Sequence, residues 1–275
     1  MSLICQGSFG LLLVSLMKTI LLLQQLRIIM VERDELNNYC NNYLSVSKFK
    51  DYGPNGLQVE GCQKINKIVS GVSANLEFIQ LAAKEKADAI FVHHGIFWDN
   101  ESNVVAGAKR NKIDLLIKNN INLFGYHLPL DEHPEVGNNV SLGKILGIQK
   151  MKSVEDSFLW QGELDTDLKT LTSLIEKKLD RTPQVFGEIK KSINSIAWCT
   201  GGAQGFIDEA INLNADLYLS GEVSERTPAA AKENNIIYIS AGHHATERYG
   251  VQALCKHLSS KFNLKHQFLE VENSV

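Results

Sequence analysis

Six of the eight histidines in this chain fall in three short stretches: His93-His94, His127 with His133, and His243-His244. Imidazole nitrogen is a good ligand for divalent transition metals, and it is the side chain that titrates nearest neutral pH. The last stretch adds a carboxylate. His243 and Glu247 are four residues apart, and on a helix that spacing places both side chains on one face. Asp131 follows His127 closely enough to reach the same region. His93, His94, Asp131, His243 and Glu247 then supply three nitrogen donors and two carboxylates. That is more than one catalytic zinc needs and about right for two ions bridged by water or carboxylate. Without thiolates the set suits zinc, iron, manganese, cobalt or nickel.

Each of these residues also has a plainer role open to it. Adjacent histidines on a regular strand point to opposite faces, so both are ligands only if the strand has ended, which Gly95 permits. His243 with Glu247 alone describes a helix-surface pair, and Asp131 alone a turn residue. Gly221-Glu222 stands at a strand end and faces either the cleft or solvent. The joint pattern, rather than any single residue, points to a metal centre.

The elements that must position these residues read as alternating strands and helices. Ile65 to Val72 is a strand, Leu76 to Lys86 an amphipathic helix, and Ala89 to Val92 a buried strand that runs into His93-His94-Gly95. Ligands in open α/β sheets bind just beyond the carboxyl ends of strands, so the position of these histidines matters. Ile121 to Tyr126 is a further strand, ending at His127 and a turn-rich loop through Asn139. The second half repeats the theme. Ser195 to Cys199 enters the glycine-rich turn Thr200-Gly201-Gly202-Ala203-Gln204-Gly205, then a helix. Ala215 to Leu219 and Ile236 to Ser240 are strands, and a long helix starts near His243. The glycine-rich turn lacks a Walker lysine and the Gly-x-Gly-x-x-Gly pattern, so a tight strand-to-helix turn is its simpler reading. Asn119-Asn120-Ile121 echoes Asn234-Asn235-Ile236, each before a strand ending in histidine. The fold class is therefore α/β: two related α/β halves, residues 30–150 and 151–275, with a metal-bearing cleft between them.

Net charge is −3, with no basic excess to suggest nucleic-acid binding. The five cysteines form no Cys-x-x-Cys pair and are odd in number, which argues against a disulfide framework and fits a reducing, cytoplasmic setting. Residues 1–29 stand apart. Leu11 to Leu23 is nearly all apolar, interrupted by Lys18, and short for a membrane span. We read 1–29 as a non-native or misassigned extension, with an amphipathic membrane anchor as the rival.

Four motifs carry a family resemblance: Tyr-Gly-Pro-Asn-Gly-Leu-Gln-Val-Glu-Gly at 52–61, Val-His-His-Gly at 92–95, His-Leu-Pro-Leu-Asp-Glu-His-Pro-Glu-Val-Gly-Asn-Asn at 127–139, and Gly-His-His-Ala-Thr-Glu-Arg-Tyr-Gly at 242–250. In order and without a large insertion, they resemble the NIF-three-like family, whose bacterial members are often labelled GTP cyclohydrolase 1 type 2 homologues. The resemblance runs from about Met30 to the C-terminus. It implies a dinuclear metal centre between two α/β halves, with His93, His94, Asp131, His243 and Glu247 as ligands of two divalent ions. It also implies self-association into a ring-shaped homohexamer and a small-molecule substrate, with GTP the candidate. His127 is expected to line the same cleft, and His127 or His133 to shuttle protons. The expected reaction is hydrolytic opening of the purine five-membered ring with formate release. A non-enzymatic metal-handling or ring-forming regulatory protein is the alternative, and a phosphoesterase using the same ions a third possibility.

Overall fold

The computed structural model describes residues 30–188 and 192–275. The expectation for residues 1–29 lies outside the described residues.

The chain enters through β1 (Val31–Glu32) and α1 (Arg33–Tyr43), then β2 (Gly56–Val59) and β3 (Lys64–Ile65). β4 (Lys67–Ser73), α2 (Leu76–Lys84), β5 (Ala89–His94), α3 (Gly107–Lys118) and β6 (Asn122–Gly125) form the first alternation. Two short helices, α4 (Leu128–Glu132) and α5 (Asn138–Leu146), lead to β7 (Gln149–Ser153) and β8 (Trp160–Thr166). After α6 (Leu168–Leu179) and β9 (Gln184–Phe186) the second alternation is β10 (Ile193–Trp198), α7 (Ile207–Asn212), β11 (Leu217–Ser220), α8 (Thr227–Glu233) and β12 (Ile237–Ser240). The 20-residue α9 (His243–Phe262) and β13 (Lys265–Phe268) close the chain.

Two principal sheets result. One has the order β13-β4-β5-β6-β2 and the other β7-β8-β10-β11-β12-β9. Each holds three consecutive parallel strands, β4-β5-β6 and β10-β11-β12, because a helical crossover separates each pair. Each parallel set is flanked by one antiparallel strand beside its last member, β2 on β6 and β9 on β12. The asparagine echo in the sequence is thus an echo in topology. β5 is buried on both faces, with Ala89, Ile90 and Phe91 fully covered, as its unbroken apolar run requires.

The cores do not divide at residue 150 as the sequence suggested. Val140, Leu142 and Leu146 of α5 pack with Ile196 and Trp198 of the second sheet. At the other end β13 pairs in parallel with β4, Lys265 opposite Lys67. α9 spans the boundary. Ala245 near its start belongs to the second core, while Val251, Leu254 and Leu258 belong to the first, with Ile68 and Phe91. A helix of this length reaches about 30 Å, enough to tie both sheets together. Among the described residues no helix is long and apolar enough to cross a membrane, and Cys40, Cys62, Cys199 and Cys255 are free thiols.

Candidate metal centre

The carboxyl ends of the parallel strands in both sheets converge on one cluster of side chains. His93 and His94 end β5, His127 follows β6, and Asp131 lies on α4. From the other side, α9 begins immediately after β12 and presents His243 and Glu247. Glu247 is the hub. Its Oε1 lies 3.5 Å from His93 Nε2, and its Oε2 lies 3.3 Å from His94 Nε2 and 3.2 Å from His243 Nε2. Asp131 Oδ1 approaches His93 Nε2 from the other side at 3.5 Å. Three overlapping groups have ligand atoms close enough for one ion: His93, Asp131 and Glu247; His94, His243 and Glu247; and His93, His94 and His127.

The strand does not end before the histidines. His94 keeps its place in the β-ladder opposite Ser73. Both histidines still reach the cluster because the two oxygens of one carboxylate divide between them, and their ring centroids are only 4.6 Å apart. Gly95 serves another purpose: a methyl group on it would strike the Gln58 carboxamide at 2.2 Å.

Every histidine of the cluster is held by its outer nitrogen. Nδ1 of His93 faces the Tyr126 carbonyl at 3.0 Å, His94 Nδ1 the Ser73 hydroxyl at 3.0 Å, His127 Nδ1 Asp51 Oδ1 at 2.7 Å, and His243 Nδ1 Glu222 Oε1 at 2.6 Å. A carbonyl or carboxylate oxygen only accepts, so Nδ1 of His93, His127 and His243 carries hydrogen and donates. In the neutral ring, Nε2 then offers its lone pair inward. A metal-binding histidine is commonly oriented this way. Asp51 is fixed in turn by donors from Asn55 Nδ2 and the Leu128 amide.

His93 Nε2 and Glu247 Oε2 are buried and make no hydrogen bond. Leaving such atoms unpaired costs roughly 1–3 kcal/mol each, and a divalent cation would satisfy both. The donor chemistry fits as well: imidazole and carboxylate without thiolate. The residues present therefore fit metal ions.

The electrostatics reflect a dense set of charges with little water. Burial works to lower the His93 and His243 pKa values, but neighbouring carboxylates outweigh it and push both up to about 9. For His93 these are Asp131 and Glu247; for His243, Glu247 and Glu222. Burial lowers His94 to about 3, helped by the surrounding imidazoles. Burial alone would raise Glu247, yet His93 and His94 hold it well below the usual carboxylate range. Asp131 is raised, by burial first and by the charge of Glu247.

Secondary contacts lock the carboxylates. Asp131 Oδ1 accepts from Asn138 Nδ2 at 2.8 Å and from the Thr200 hydroxyl at 3.3 Å. Asn138 Oδ1 accepts from the Gly250 amide of α9 at 2.8 Å, and Asn139 Oδ1 accepts from the Thr200 amide at 3.0 Å. The glycine-rich turn passes over Glu247. At φ +70° Gly201 adopts a left-handed conformation, and a methyl group there would lie 2.0 Å from Glu247 Oε1. Only glycine fits this turn on both counts.

His133 is not brought into the cluster. Its Nε2 donates to the Tyr43 carbonyl at 3.1 Å, and its Nδ1 accepts from the Glu135 and Val136 amides. Both nitrogens thus hold backbone, and the expected proton-shuttling role has no geometry behind it. His127 does reach the cluster, as a third nitrogen donor beside His93 and His94.

The cluster forms one wall of a cavity of about 250 Å³, whose other walls include Tyr52, Leu128, Phe158, Thr200 and Phe206. A family model for Duf34/NIF3 (NGG1p interacting factor 3) matches residues 31–274.

The chain belongs to the Duf34/NIF3 family.

Curated relatives in this family extend over nearly their whole length. A protein named GTP cyclohydrolase 1 type 2 homolog from Allochromatium vinosum is 45% identical over 249 residues, covering 89% of this chain and 98% of the relative. One of the same name from Escherichia coli K12 is 44% identical over 246 residues, covering 88% and 99%. A solved structure of the protein ybgI, described as of unknown function, is 42% identical with TM-score 0.86, covering 89% of this chain and all of that one. The structure of TTHA1606 from Thermus thermophilus is 30% identical with TM-score 0.84 and equal coverage. The Duf34/NIF3 fold is therefore the fold of this chain.

Proposed function

We propose that the protein is a dinuclear-metal-dependent hydrolase that opens the purine five-membered ring of GTP and releases formate. The observation that carries this reading is the pair of orphaned buried atoms, His93 Nε2 and Glu247 Oε2, at the centre of three overlapping donor groups. The relatives' shared name supplies the candidate reaction. His93, His94, Asp131, His243 and Glu247 would hold the two ions. When bound, such ions act as Lewis acids and lower the pKa of water toward neutrality.

The chain's own residues would do the remaining work. His127, oriented by Asp51 at 2.7 Å, keeps Nε2 directed into the cluster. From there it takes a proton from the attacking water and returns it to the departing ring nitrogen. Asp51 holds the imidazolium that forms in between. One water opens the ring to a formamide, and a second releases formate. The half-buried aromatic wall limits solvent at the reacting carbon. A ring-shaped hexamer belongs to the same proposal, and a sizing measurement that gives a monomer would remove it.

Metal handling is a second reading, favoured by uneven burial. The side chains of His93 and Glu247 are 0% and 4% exposed, whereas those of His94 and His243 are 21% and 28% exposed. A closed donor set beside an open one suits an ion that exchanges. The deciding experiment is GTP turnover by protein reconstituted with defined metals, followed by formate, beside His93→Ala and Glu247→Ala. Formate from the wild type alone supports the hydrolase. Two bound ions without formate, but with metal transfer to a chelating client, supports handling.

A further inference from the structure

We propose that residues 270–275 form a releasable latch behind the first turn of α9, and that releasing it speeds the escape of metal from the donor cluster. The inference rests on the cluster being a metal centre. The latch itself is built from other residues.

The start of α9 is a wall between two cavities. His243 and Glu247 border the cavity beside the donor cluster, while His244 and Arg248, also four residues apart, border a second one of about 420 Å³ behind it. The rear pair meets Glu270, which follows β13. Glu270 Oε1 accepts from His244 Nε2 at 2.5 Å, and its Oε2 accepts from Arg248 Nη1 at 3.3 Å. Further on, the chain returns to the same helix. The Val275 carbonyl accepts from the His244 amide at 3.1 Å, and the Ser274 carbonyl accepts from Arg181 Nη1 at 2.6 Å. In all four contacts the tail supplies the acceptor.

Two features make the latch releasable. Apolar anchoring stops at Val271: Leu269 and Val271 pack against the core that holds Val69 and Ile90, whereas residues 272–275 are exposed. The rear cavity, bordered by Leu179, Arg181, His244 and Arg248, also separates the tail from close packing beneath it. A segment held by polar contacts, with little buried apolar surface, opens locally at low cost.

The turn it holds carries both donors of the second half. Ahead of that turn the Gly242 amide donates to the Gly221 carbonyl at 2.8 Å; after it, Thr246 Oγ1 accepts from the Gly201 amide at 3.0 Å. Between these two ties, both the amide and the ring of His244 are bonded to the tail. Amides in a first helical turn have no partner within the helix, so the Val275 carbonyl meets a need the helix cannot. With the tail away, the turn loosens beside His243, while Val251, Leu254 and Leu258 stay in the core.

The test uses the full-length protein with Glu270→Ala and Glu270→Gln. Amide hydrogen exchange, read without metal, should quicken around His244 in Glu270→Ala by roughly ten- to a hundredfold, the usual worth of a hydrogen bond to a charged group. Exchange around Leu254 should not change. Zinc-loaded Glu270→Ala should lose zinc to an excess of a coloured chelator at least tenfold faster than wild type. Glu270→Gln keeps one acceptor and should fall between. Unchanged exchange around His244 overturns the latch. Faster exchange with wild-type zinc loss overturns its control of the metal. Equal quickening around Leu254, with a lower Tm, shows general destabilisation and also overturns the proposal. If the wild type takes up no zinc, the metal reading falls and takes this inference with it; zinc held equally well by all three proteins removes this inference alone.

Discussion

Glu247 Oε2 lies 3.2 Å from His243 Nε2, one helical turn earlier on the same helix, and this pair brings the second sheet's donors to the histidines of the first. Removing the carboxylate leaves three imidazoles without their common partner. Glu247→Ala should keep the fold, since Val251, Leu254 and Leu258 still anchor the helix. It should abolish metal-dependent stabilisation. At a hundredfold excess over Kd, wild type gains about 2.7 kcal/mol, or roughly 5–10 °C in Tm for a chain of this size. Calorimetry with and without metal reads the difference; an equal gain in the variant would count against Glu247 as a ligand.

Gly201→Ala tests the turn over that carboxylate. The left-handed backbone alone costs an alanine about 1–2 kcal/mol. The added methyl, 2.0 Å from Glu247 Oε1, must also push the carboxylate aside. Metal content by elemental analysis should fall more than the modest drop in Tm would suggest. Unchanged metal content would show that the turn yields instead.

Asn138→Ala tests the seam between α4 and α9. It strips a donor from Asp131 and leaves the buried Gly250 amide without its acceptor. The cost should be about 1–3 kcal/mol, read as a lower urea midpoint at unchanged slope. Asn138→Asp keeps the acceptor for Gly250 but sets a carboxylate against Asp131. It should therefore lose metal affinity out of proportion to its stability.

Metal uptake should depend on pH. In the metal-free protein His93 and His243 titrate near 9, so at pH 7 both rings carry a proton that competes with an ion for Nε2. Affinity should rise with pH through 7 to 9 and level off above about 9, with release of roughly two protons at neutral pH. Titration calorimetry in buffers of different ionisation enthalpy counts them. No proton release would mean these rings are not ligands.

Much of the site was legible because its donors stand at strand ends or one helical turn apart, where local spacing predicts direction. His243 and Glu247 meet as their spacing suggested, and His93, His94 and Asp131 join them although the strand continues through both histidines. What orients them was not legible. Asp51 lies just outside the motif at 52–61 and Glu222 read as cleft or solvent, and nothing local ties either to a histidine 76 or 21 residues away. His133 failed for the opposite reason. It is only two residues from Asp131, but the chain leaves α4 at Glu132 and carries its ring to Tyr43. In the fold, the alternating strands and helices were readable from periodicity. The short edge strands β2, β7 and β9 were not, since exposed pairing leaves little apolar signature. The first sheet's dependence on β13 was hidden because strand partners are chosen by tertiary packing.

That last pairing has a consequence for synthesis on the ribosome. β4 is among the earliest strands made, yet its outer neighbour β13 follows 198 residues later, Lys265 opposite Lys67. Until then the nascent chain carries β4 with one edge bare, and a bare edge invites pairing with other chains. The helix that covers Ile68 and Phe91 arrives equally late. The N-terminal sheet therefore stays unfinished until β13 has been made, and the same late segment that closes it delivers His243 and Glu247.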